Sequence, residues 1–163
     1  MASTTKEIGD AERVPFLLRL KPPRIAMALM LVSLGLHLFL ERRLGPPLRS
    51  VAGGCVLIAL GFLLMTWAWW LFRQRKTAIC PTASASTMVD RGPFHFTRNP
   101  MYLGMALMLT GGSLILGSLP AFLAPAAFLL LMNAVFIPFE ENRMSLLFGE
   151  QYASYRHRTR RWL

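Results

Sequence analysis

The chain has 163 residues, of which 54% are hydrophobic and 16% charged, against about a quarter charged in a typical water-soluble domain. Its 18 Lys and Arg against 8 Asp and Glu leave a net charge of +10. In a polar chain that surplus would suggest a nucleic-acid partner, but here the charges are segregated between long uncharged stretches. The pattern excludes a small soluble enzyme, a disordered basic tail and a secreted disulfide scaffold. It predicts an all-α, multi-pass transmembrane helical bundle of about four spans, a single integral membrane domain over residues 1–163.

Residues 1–24 carry acids, bases and Pro22-Pro23 and no apolar run of signal-peptide length. They are expected to form a cytoplasmic or interfacial N-terminus, with Val14 to Lys21 along the membrane surface. Spans one and two fall within residues 25–72. Ile25 to Leu40 is 16 uncharged residues, short for a span unless its flanking arginines snorkel, and Ser50 to Phe72 is 23. Trp67, Trp69, Trp70 and Phe72 close span two as an interfacial aromatic belt. A 26-residue loop, 73–98, follows; loops of that length are usually functional. From Asn99 to Phe139 the chain runs 41 residues without a charge. As helix that is about 61 Å, or two crossings of a core of about 30 Å. Gly117-Ser118-Leu119-Pro120 supplies the reversal, so spans three and four form a C-terminal hairpin over residues 99–141, and 142–163 is a basic tail.

Orientation follows from the bases. Fifteen of the eighteen fall in the N-terminal segment, the 73–98 loop and the tail, and only Arg42, Arg43 and Arg49 lie on the other side. Both termini and the long loop are therefore expected in the cytoplasm, where the bases also attract anionic lipid headgroups. Heptad-spaced small residues, Gly54, Gly61 and Ala68 on span two with Gly104, Gly111 and Ser118 on span three, would allow close helix approach. His37 reads as a packing histidine. Cys55 and Cys80 read as free thiols, since one lies well down a span and the other beyond its exit.

Polar groups beside long apolar spans are costly and mark candidate sites. Gly92 to Gly104 enters span three and Glu140-Glu141-Asn142-Arg143 leaves span four, and the hairpin brings both to one membrane face. Arg98 is a forked cation suited to a carboxylate or phosphate. Pro100 starts a helix whose first-turn N–H groups are open to an anion. Tyr102 follows, with Gly104 open to a flat ligand or to another helix. Adjacent Glu140 and Glu141 repel each other at an unfavourable helix C-terminus and call for a cation, which Arg143, Arg98 or a cationic ligand would supply. No zinc spacing, GxSxG or Gly-rich phosphate loop appears, so no metal is expected.

The segment Gly92-Pro93-Phe94 … Arg98-Asn99-Pro100-Met101-Tyr102-Leu103-Gly104, followed by Glu140-Glu141 … Phe148-Gly149 … Tyr152 … Tyr155 … Arg161-Trp162, resembles the isoprenylcysteine carboxyl methyltransferases and the related phospholipid N-methyltransferases. The match runs from about Thr77 and Pro81 to residue 163. It departs from that family in reading Arg98-Asn99-Pro100 for Arg-His-Pro, in placing Met144 at the last position of the EExxL pattern, and in lacking the usual C-terminal Pro. The resemblance implies an S-adenosylmethionine-dependent membrane methyltransferase of a bacterial-looking type, in the cytoplasmic membrane. Arg98, Asn99, Pro100, Tyr102, Gly104, Glu140 and Glu141 would contact the cofactor. Glu141 would take a proton, and Arg143 would hold an acidic acceptor. The acceptor would be a lipid or amphiphile entering from the bilayer. The competing readings are a sterol-reductase-like NADPH enzyme, whose C-terminal hairpin is similar, and a non-catalytic lipid-binding protein.

Overall fold

The computed structural model describes residues 20–40, 48–74 and 88–163. Arg42, Arg43, Cys80, Thr77, Pro81 and most of the stretch from Val14 to Lys21 lie outside them. The described residues form helices, short 3-10 turns and one isolated bridge between Thr97 and Arg160. In chain order α1 is Pro22–Leu40, α2 Val51–Gln74, α3 Pro100–Leu116, α4 Leu123–Leu131 and α5 Ile137–Arg158. A five-residue π segment, Met132–Phe136, joins α4 to α5, and with the 3-10 turn Leu119–Phe122 it makes one continuous helix, Leu119–Arg158.

Helices α1, α2 and Leu119–Arg158 are each long and apolar enough to cross a membrane. At 17 residues α3 is the short member, about 25 Å of helix. The four-span expectation thus holds with the hairpin where the sequence puts it. Gly117 ends α3 in the left-handed conformation (φ 76°) with its N–H on the Ser113 carbonyl, and Pro120 lies in the following 3-10 turn. The chain before α2 is stitched to that reversal, Leu48 N–H to the Gly117 carbonyl at 2.8 Å and Ser50 N–H to Leu114 at 3.0 Å. Ser50 then caps α2 by accepting the Gly53 N–H at 3.2 Å.

The α2–α3 contact is the tightest helix pair, and the small-residue rows explain it. A Cβ on Gly61 would sit 2.4 Å from the Gly104 carbonyl oxygen, and one on Gly54 would sit 2.6 Å from that of Gly111. Nothing larger than hydrogen fits there, so the two backbones approach directly. Ser118 departs from the row and serves α1 instead, its Oγ 2.8 Å from His37 Nδ1, while Ser33 Oγ donates to the Ala121 carbonyl at 3.0 Å. These side-chain bonds, not charge pairs, hold α1 against the reversal. The main core lies between α3 and the long helix: Tyr102, Met105, Ala106 and Leu109 pack on Phe128, Met132, Phe136 and Ile137, with Ile25 from α1. Outward-facing Met27, Leu31, Leu38, Phe39, Leu60 and Leu63 are exposed, as lipid-facing positions must be. Trp67, Trp69 and Trp70 are also exposed at the end of α2, with Arg73 5.3 Å over the Trp69 ring.

Candidate functional site

Two backbone devices bring the polar clusters to one place. Gly92 (φ 63°) starts the 3-10 turn Gly92–His95 where a side chain would meet Leu71 at 2.7 Å. The turn seats Phe94 edge-on against Phe72, ring centroids 5.3 Å apart. Beyond it the chain pairs with the residues following α5. Arg98 N–H donates to the Arg160 carbonyl at 2.9 Å, Thr97 Oγ1 to Arg161 at 3.1 Å and Asn99 Nδ2 to the same Arg161 carbonyl at 2.9 Å. Asn99, which stands where the resembling family has histidine, is therefore tied by its amide to the backbone of residue 161. Tyr155 adds a hydrogen bond from its hydroxyl to the Phe94 carbonyl at 2.7 Å. The second device is in α5, whose Gly149 has non-helical torsions (φ 48°, ψ −123°) and bends the helix. That bend lets Tyr152 and Tyr155 pack with Met88, Met144 and Phe148 beneath the 88–98 segment.

At the centre stands Glu141, buried at 9% exposure. Arg98 Nη2 lies 3.2 Å from its Oε1, and Arg161 reaches both oxygens, Nη2 to Oε2 at 2.6 Å and Nε to Oε1 at 3.2 Å. Arg161 also donates from Nη1 to Asn133 Oδ1 at 3.2 Å, and that oxygen accepts the Trp162 indole N–H at 3.3 Å. Asn133 lies inside the π segment, a distortion that recurs at functional sites. The adjacent acid, Glu140, accepts a hydrogen bond from the Tyr102 hydroxyl, and among the described residues it has no cationic partner. Tyr102 is itself buried, its ring edge-on to Phe128.

The expected residues separate into three groups. Arg98, Asn99, Tyr102, Glu140 and Glu141 converge, and Pro100 opens α3 as its buried first residue. Gly104 faces α2, with Gly61 and Met65 filling the space a Cβ would occupy; of the two neighbours considered for it, ligand or helix, the structure supplies the helix. Arg143 makes no ion pair among the described residues; the compensating cations of Glu141 are Arg98 and Arg161. The anticipated open carboxylate at Glu141 is corrected on the same ground: both its oxygens are engaged, so Glu140 is the acid left for a cation. Sequence reasoning missed the clamp formed by Thr97, Asn133 and Arg161. Its only signal was Arg161-Trp162 at the end of the motif series, since one arginine among five in a basic tail carries no label of its own. Among the described residues no group of His, Cys, Asp or Glu side chains could hold a metal ion.

Two comparisons bear on these residues. A family model described as phospholipid methyltransferase matches residues 49–151, spanning α2, the converging clusters and the α5 bend. A protein of Haemophilus influenzae described as uncharacterized is 38% identical over 63 residues, 39% of this chain and the whole of that relative. No solved structure matches.

Proposed function

Because this chain belongs to the phospholipid methyltransferase family, a family of membrane methyltransferases, we propose that it transfers a methyl group from S-adenosylmethionine to a lipid or amphiphilic acceptor. We place the reaction at the cytoplasmic face of a bacterial membrane. The observation that carries the reading is the unequal state of the acid pair. Glu141 is neutralised by two arginines, whereas Glu140 is held by a hydroxyl alone, at the end of an apolar helix where an unpaired carboxylate is costly. That is a site wanting a cation, and the donor set fits this cofactor, which supplies a methyl group on a positively charged sulfur and carries an ammonium group besides.

Glu140 would hold the positive end, with Tyr102 fixing the carboxylate's rotamer. The first turn of α3, whose N–H groups have no intrahelical acceptor, would receive the cofactor's carboxylate, with Arg161 beside it. The triad of Arg98, Glu141 and Arg161 would keep the two chain segments together, so the rate would come from positioning and exclusion of water. Of the earlier role assignments, proton transfer by Glu141 loses its support, because that carboxylate is doubly paired. Arg143 keeps only the general role of a basic residue near the acceptor side.

Calorimetric titration of the detergent-solubilised protein with S-adenosylhomocysteine and, in parallel, NADPH tests the reading. Binding of the former alone is expected, and Glu140→Gln should weaken it by at least about tenfold, the loss of one charge-assisted contact. NADPH binding, or an unchanged affinity in Glu140→Gln, would reject the proposal. The unpaired acid already argues against a phosphorylated dinucleotide.

A further inference from the structure

Glu141 uses only one nitrogen of Arg98. The other two, Nε and Nη1, are buried without a hydrogen-bond partner, although the side chain as a whole is 10% exposed. The Tyr152 phenol stands beside the guanidinium without aligning to either N–H. Orphaned guanidinium donors in a buried setting cost free energy and are rare unless something binds them. They border a cleft of about 350 Å³ lined by Arg98, Ser145, Tyr152, Ala153, Arg156 and His157.

From these neighbours we infer that the cleft is a phosphate site for the headgroup of a membrane lipid. Arg98, Arg156 and His157 offer donors from three directions, which suits a tetrahedral anion better than a flat carboxylate. Ser145 contributes no donor, because its hydroxyl is bonded to the Glu141 carbonyl at 2.9 Å. The only carboxylate of the neighbouring triad, Glu141, is shared by two arginines, so the cleft keeps a positive balance.

Its height in the membrane favours a lipid. Arg98 immediately precedes the start of α3 at Pro100, and the uncharged run of the hairpin ends at Phe139. The cleft therefore lies just outside the apolar slab, at the level of headgroup phosphates. It exists because of the bend at Gly149. In a straight helix Arg156 would stand about 22 Å along the axis from Glu141, yet it lines the same cleft as Arg98. The site stands beside the donor pocket proposed above, and it would hold the phosphate of an acceptor lipid there. Only that last role rests on the methyltransfer reading.

The test uses the full chain in a neutral detergent, titrated with dihexanoyl phosphatidic acid as a lipid probe and with inorganic phosphate. The lipid probe is expected to bind, and Arg156→Gln and His157→Gln each to weaken it by roughly fivefold to tenfold. Arg158→Gln removes an equal charge one turn position away, outside the cleft, and is expected to leave the affinity within about twofold. Equal losses in Arg156→Gln and Arg158→Gln would reveal diffuse attraction to the basic tail and overturn the proposal. Binding of inorganic phosphate without the lipid probe would overturn its assignment to a lipid. S-adenosylhomocysteine affinity in Arg156→Gln should stay at the wild-type value. A parallel loss would give the cleft to the cofactor's carboxylate, overturning this proposal while sparing the donor reading. Failure of all S-adenosylhomocysteine binding with the lipid pattern intact would do the reverse.

Discussion

Glu140 and Glu141 are chemically identical neighbours in opposite electrostatic circumstances. Removing Arg161 as Arg161→Met should leave Glu141 with Arg98 alone and expose the loss as lower thermal stability in detergent. Because Arg161 is a third exposed, the cost is discounted to about 1–2 kcal/mol from the larger values of fully buried pairs. Tyr102→Phe removes the hydroxyl that Glu140 accepts. It should leave the unfolding midpoint within a few degrees while weakening S-adenosylhomocysteine in calorimetry, by about threefold to tenfold. Arg98, Asn99, Tyr102 and the two glutamates were legible because polar groups are scarce in so apolar a chain, and scarcity makes each one conspicuous. Arg161 and Asn133 were not, the first because the tail repeats its type, the second because its position depends on a π turn that no local pattern announces. Gly104 was legible only as a place for close approach; which partner approaches is a tertiary fact.

At the scale of elements, the glycines of α2 and α3 separate packing from propensity. Gly61→Ala would drive a methyl group into the Gly104 carbonyl at 2.4 Å. It should destabilise the helix pair by about 1–3 kcal/mol, measured by thermal unfolding. Gly35→Ala on exposed α1, with nothing within 4 Å of the new Cβ, should be neutral or stabilise by up to about 1 kcal/mol, since alanine is the better helix former. The spans and the reversal at Gly117 were readable from hydropathy and from residues that stop helices. The extension of the last helix to Arg158 was not, because charged residues end a hydrophobic run without ending a helix. Nor was the bend at Gly149: a glycine within a helical stretch is tolerated in many conformations, and only φ 48° identifies this one as a corner.

For the whole molecule, the charge surplus is an orientation signal, and it is testable as one. In a background lacking both native thiols, Leu48→Cys and Ser154→Cys lie at opposite ends of the bundle, beside the Gly117 reversal and on α5. Both positions are exposed. On intact cells a membrane-impermeant maleimide should label the first and spare the second until the membrane is opened. The reverse labelling would place the donor and phosphate sites outside the cytoplasm and remove their supply of cofactor. This arrangement was legible almost entirely from the fifteen-to-three partition of the bases, because membrane insertion reads charge at short range and ignores side-chain detail.

The π segment Met132–Phe136 makes the chain unequally tolerant of changes in length. A π turn spans i to i+5 where an α turn spans i to i+4, so it stores one surplus residue between helices that keep their own register. Deleting Ala134 would let the segment relax to α-helix, with Phe128 still facing Tyr102 and Glu141 still facing Arg98; the loss would fall on the Asn133 contacts with Arg161 and Trp162. Deleting Leu129, within α4, offers no such reserve next to it and would rotate one flank by about 100°, parting the core from the acid pair. In this helix a frame-preserving deletion is a local edit at one turn and a structural break at the next.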